Sequence, residues 1–157
     1  MNYIKDVKLK ENDYYNMIIE IPKGTNEKFE LVEPTFDKVE CVRKVLGKYP
    51  YYYGCLPQTY AGDKDPLDAI LISNKKYNSL DIVKVQPIAV IKTMDNGEVD
   101  DKLIFISTED ETIIGKRFDK LIKLILKFLR KYKGKKADMI IDEKIYDYDE
   151  AIKLINE

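Results

Sequence analysis

At 157 residues, 45% of them hydrophobic, the chain is long enough for one domain (1–157) whose core needs neither disulfides nor a structural metal. Its 27 basic and 28 acidic residues leave a formal net charge of −1, which speaks against disorder and against general nucleic-acid affinity. The chain has no histidine, which removes His-dependent triads, HExxH-type zinc sites and imidazole acid–base work, so proton transfer falls to carboxylate, Tyr, Lys, Cys or bound water.

The first strand signal runs from Tyr14 to Ile21 and stops at Pro22. If Ile19 and Ile21 face a core, Glu20 points to the opposite side of the sheet. In the next segment, Lys28 to Val32, alternation turns Phe29 inward and puts Lys28 and Glu30 on one face. Val39 to Val45 has the character of a further strand. From Tyr49 to Pro57, two prolines and a glycine bracket four tyrosines, which predicts a rigid loop. The two cysteines, Cys41 and Cys55, read as packing residues, because zinc would need partners the chain lacks.

Next comes Asp63-Lys64-Asp65-Pro66-Leu67-Asp68, three carboxylates within six residues. In extended backbone Asp63 and Asp65 share a face, and a turn at Pro66 swings Asp68 back toward them. Ala69 to Ser73 follows as a short buried strand. The longest strand candidate is Asp81 to Lys92, with Pro87 marking an edge or a bulge. Thr93 to Lys102 reads as a hairpin connection turning at Asn96-Gly97, and it carries a second acidic group, Asp95, Asp100 and Asp101, with Lys102 on the face of Asp100. Leu103 to Ile106 returns as a strand.

The period then changes. Ile114, Phe118, Leu121, Ile122, Ile125, Phe128, Leu129 and Tyr132 recur at helical spacing, opposite a solvated face of Lys120, Lys123, Lys127, Arg130 and Lys131. This helix closes at Tyr132-Lys133, just before Gly134. A second, shorter helix starts near Asp147, whose spacing to Glu150 resembles a capping box. With no leading apolar segment and no apolar run of membrane-spanning length, the expected location is the cytoplasm, with no membrane contact.

Carboxylates are hard oxygen donors suited to Mg²⁺, Mn²⁺ or another divalent ion of that kind. Two acidic groups converging without histidine repel one another unless cations neutralise them. Cations held there, with Lys and Tyr around them, favour hydrolysis of a phosphate compound.

In this order the motifs resemble the soluble family I inorganic pyrophosphatases, from about Tyr14 to about Lys133. The resemblance is carried by Ile19-Glu20-Ile21-Pro22, Lys28-Phe29-Glu30, Tyr49-Pro50 with Tyr53-Gly54, Asp63-x-Asp65-Pro66-x-Asp68, Asp95 with Asp100-x-Lys102, and Tyr132-Lys133. It implies an α+β, mainly β fold: a distorted five-stranded OB-type barrel with two C-terminal helices packed outside, assembled as a homo-oligomer. It further implies Mg²⁺-dependent cleavage of pyrophosphate to two phosphates by a metal-activated water. By position, Asp63, Asp68 and Asp100 bind the most tightly held metal, Asp68 bridges to a second, and Asp95 joins Asp100 on a further ion. Glu20 and Glu30 act through metal-bound water, and Asp65 accepts the proton of the attacking water. Lys28, Arg43, Tyr53, Lys102, Tyr132 and Lys133 hold phosphate oxygens.

Two positions depart from the family pattern. The family's phosphate-binding arginine falls on Cys41, and Arg43, two residues on with the same strand parity, is the substitute. Lys64 stands where the family has a small residue. These departures define the alternative reading, a catalytically impaired binding or regulatory protein on the same barrel. A third, an OB-type nucleic-acid binder stacking bases on its tyrosines, is opposed by the acidic site.

Overall fold

Five strands close into a ring. The structure is a computed structural model, and it describes residues 1–59, 66–95, 97–107, 118–131, 139–146 and 148–156. In chain order the elements are β1 (Lys10–Glu11), β2 (Tyr14–Ile21), β3 (Glu27–Leu31), β4 (Val39–Lys44), β5 (Tyr52–Cys55), β6 (Asp68–Ile72) and β7 (Ile82–Asp95). They continue with β8 (Glu98–Val99), β9 (Lys102–Ser107), α1 (Phe118–Lys131), β10 (Met139–Tyr146) and α2 (Tyr148–Ile155). The ring runs β2–β5–β6–β9–β7 and closes by pairing β7 with β2. Every pairing in it is antiparallel except β6 with β9. Outside it, β1 flanks β2, β8 and β10 flank β7, and β3 and β4 form a separate ribbon. The expected mainly β barrel of five strands with two helices is what the chain forms.

The two faces of the barrel wall carry separate apolar clusters because strand side chains alternate. Ala69 and Leu71 of β6 and Leu103 and Phe105 of β9 pack in one cluster with Ala151 and Ile155 of α2. Their neighbours Ile70 and Ile104 turn the other way, to Ile122, Ile125, Leu126 and Leu129 of α1. At about 1.5–3 kcal/mol per fully buried aliphatic side chain, those four α1 residues suffice to dock the helix, while its Lys120, Lys123, Lys127, Arg130 and Lys131 stay exposed. Among the described residues no helix is long and apolar enough to cross a membrane.

Three features differ from the sequence expectation. Tyr52–Cys55, expected within a rigid loop, is a ring strand: pairing to β2 and β6 on its two sides overrides the local proline and glycine signals. Gly54 makes that pairing possible, because a Cβ there would collide with the Ile18 carbonyl of β2. Pro87 lies inside the ring, not at an edge. The bulge alternative is the one adopted: the β7–β9 register shifts between Pro87 and Ala89, moving the inward set from Val83 and Val85 to Val90. Finally, β10 is a strand that no sequence signal singled out, laid antiparallel along β7 with its own irregularity between Ile141 and Ile145. The first turn expected of α1, at Ile114, lies outside the described residues.

Candidate active site

Parallel pairing of β6 with β9 puts Asp68 directly beside Lys102, each the first residue of its strand. Lys102 is 1% exposed, too buried for an ammonium without partners. Its Nζ donates to Tyr53 Oη at 2.8 Å, to Asp68 Oδ2 at 3.1 Å and to Asp100 Oδ2 at 3.1 Å. Tyr53 comes from β5, and Asp100 from the connection between β8 and β9. One lysine of β9 thus gathers side chains from two other ring strands and a hairpin, and charge-assisted bonds of this kind are about twice as strong as neutral ones.

Glu20 reaches the same place from β2. The β2–β5 register steps between Ile19 and Ile21, which leaves Glu20 as the extra residue of a bulge. Its Oε2 accepts a hydrogen bond from Leu31 N at 2.9 Å, tying the β3–β4 ribbon to the barrel. Next to it on the ribbon, Lys28 Nζ lies 3.2 Å from Glu30 Oε1. Glu20, Lys28, Glu30, Tyr53, Asp68, Asp100 and Lys102 all line one cavity of about 510 Å³.

The electrostatics show carboxylates short of positive charge. Burial pushes the Glu20 carboxyl up to about 7, the Leu31 amide opposes, and the nearby Asp68 and Glu30 charges add to the rise. Burial likewise raises Asp68 to about 7, against the pull of the Lys102 charge. For Asp100, burial acts upward but is outweighed by the Lys102 ammonium and by hydrogen bonds with Asp68 and Lys102, so its carboxyl is lowered. Hard oxygen donors held in a polar cavity with only part of their charge neutralised suit a divalent cation, which supplies the missing charge. Among the described residues no three carboxylates or thiols stand close enough together to enclose an ion. Asp63 and Asp65 of the predicted set lie outside those residues, as do Lys64, Tyr132 and Lys133; Asp95 ends β7.

Arg43 is exposed on β4, directly across from Lys28, and is not among the residues lining the cavity. The two-residue spacing from Cys41 keeps parity only in a regular ladder. Here the register steps between Lys28 and Phe29, so Arg43 faces Lys28 while Cys41, also exposed, faces Phe29. The structure adds Cys55 to the cavity wall. It packs with Ile18 and Leu31, as a packing cysteine should, yet its thiol is pushed up by burial and by the Glu20 and Asp68 charges beside it. Its position two residues after Tyr53 on one strand was the available signal.

The inorganic pyrophosphatase family model matches residues 17–157. The chain belongs to the inorganic pyrophosphatase family. An inorganic pyrophosphatase of Dictyostelium discoideum is 32% identical over 94% of this chain, and one of Synechocystis is 32% identical over 90%. This chain spans 64% of the length of the first and 88% of the second. The solved inorganic pyrophosphatase of Thermus thermophilus shares the fold with a TM-score of 0.89, covering 99% of this chain and 95% of that one at 24% identity. A family relation thus joins a cavity in which one buried lysine is shared by two carboxylates.

Proposed function

We propose that this chain hydrolyses inorganic pyrophosphate to two phosphates, with Mg²⁺ as the preferred cation and Mn²⁺ as a substitute. The observation that carries the proposal is the Lys102 ammonium joined to Tyr53, Asp68 and Asp100 within one polar cavity, in a chain of the pyrophosphatase family. Asp68 and Asp100, with Asp63 and Asp95, would hold the cations, and Glu20 and Glu30 would support them through water. When bound, the cation supplies Lewis-acid charge neutralisation and makes water a stronger acid. Lys28, Lys102 and Lys133 counter charge on the phosphate oxygens as point charges, and Tyr53 and Tyr132 donate phenolic hydrogen bonds. Asp65 takes the proton of the attacking water. A homo-oligomer in the cytoplasm completes the reading.

Phosphate release from pyrophosphate, ATP and a short polyphosphate, each with and without Mg²⁺, tests it. Fast Mg²⁺-dependent release from pyrophosphate alone is the expected result. Cation binding without turnover on any of the three would favour a binding protein and overturn the enzyme. Asp65→Asn is expected to lower turnover with cation affinity largely kept, and a fully active variant would remove Asp65 from its role.

A further inference from the structure

Asp100 has to be aimed at Lys102 and Asp68, yet it sits where the sheet is not regular. On either side of it the ladder is in register, with Met94 opposite Val99 and Ile91 opposite Lys102. The same register sets Thr93 opposite Asp100. One bond of that rung is ordinary, with Asp100 N donating to the Thr93 carbonyl at 2.9 Å. Its return bond is replaced. Thr93 N donates to the Asp101 Oδ1 carboxylate at 3.2 Å, and the Asp100 carbonyl accepts from the Thr93 hydroxyl Oγ1. Thr93 is 2% exposed, and Asp101 is half-buried.

We propose that Thr93 and Asp101 are positioning residues: their side chains stand in for one backbone rung and thereby fix the direction of the Asp100 carboxylate. Neither residue touches the cavity; both act through Asp100. A regular rung would be made by any two residues. This one requires a hydroxyl at 93 and an acceptor at 101, which makes it a specific support for a cation-holding carboxylate, and the loss of such support lowers metal affinity by about 10- to 100-fold in other sites. The inference rests on the pyrophosphatase reading only for its effect on turnover.

The test uses the full chain and the variants Thr93→Val, Thr93→Ser, Asp101→Ala and Asp101→Asn. Mn²⁺ affinity without pyrophosphate is measured by calorimetry, and amide exchange is followed at Thr93 and Asp100. Thr93→Val and Asp101→Ala are expected to weaken Mn²⁺ binding about tenfold or more and to speed exchange at both amides. Thr93→Ser and Asp101→Asn, which keep the hydroxyl and the acceptor, restore both. Parental Mn²⁺ affinity in a folded Thr93→Val protein overturns the proposal, and so does an Asp101→Asn protein as weak as Asp101→Ala, since charge rather than hydrogen bonding would then be the cause. If Thr93→Val does not fold, the two Asp101 variants decide. Should the parent bind Mn²⁺ yet release no phosphate, the pyrophosphatase reading fails while the Mn²⁺ series still tests the clamp.

Discussion

Lys102 is the residue on which the local charge balance turns. Replacing it by Met keeps the stem volume and deletes the ammonium, leaving Asp68 and Asp100 facing each other across a cavity wall. Breaking a buried pair in this way costs about 3–5 kcal/mol when both partners must stay ionised. Lys102→Met should therefore unfold at lower urea than the parent at pH 8, and the gap should narrow at pH 5, where Asp68 is protonated in both proteins. Equal losses at the two pH values would show that packing rather than charge was removed. Much of this cluster is legible in the sequence, because Asp68, Asp100 and Lys102 stand at short fixed spacings beside strand signals, and Glu20 is a lone charge between isoleucines. The side that Arg43 takes is not legible. A one-residue register step in the β3–β4 ribbon decides it, and nothing in the composition of Val39–Lys44 marks where that step falls.

Strands proved readable where their own side chains carry the pattern and unreadable where partners impose it. β2, β7 and β9 announce themselves by runs of β-branched residues. β5 does not: Tyr52-Tyr53-Gly54-Cys55 becomes a strand only because β2 and β6 bracket it, and β10 depends in the same way on the length of β7 beyond the ring. Gly54 is the point where this dependence is most exposed to test. Gly54→Ala places a methyl group against the Ile18 carbonyl, and because backbone on both strands is held by ladder bonds, relief requires β2 and β5 to separate. A destabilisation of about 2 kcal/mol or more is expected in chemical denaturation, at the upper end for overpacking. Since Tyr53 rides on the same strand, cation affinity and substrate affinity should fall with it. A variant as stable as the parent would mean that the two strands are not held at this separation.

For the whole molecule, the cavity makes folding itself pH-dependent. Glu20 and Asp68 rise from ordinary values of 4.5 and 3.8 to about 7, chiefly through burial, so the folded chain retains protons there that the unfolded chain releases. Stability linked to these groups is full below the ordinary carboxylate range and is lost as pH rises through about 7. Asp100 runs the other way: its lowered pKa contributes stability above the ordinary range that is lost on acidification. Between pH 5 and pH 8 the first effect dominates, each of the two carboxyls contributing about 2.5 kcal/mol, so the cation-free protein should lose about 5 kcal/mol over that interval. A divalent cation competes with the same protons for the same oxygens, so it binds weakly at pH 5 and well at pH 8. At a hundredfold excess over its dissociation constant, a ligand of the folded state adds about 2.7 kcal/mol, enough to offset about half of the loss. Urea midpoints at both pH values, with and without Mg²⁺, should therefore converge at pH 8 toward the pH 5 value only when Mg²⁺ is present. A Mg²⁺ effect as large at pH 5 as at pH 8 would place the ion away from Glu20 and Asp68, and with it the catalytic assignment of this cavity.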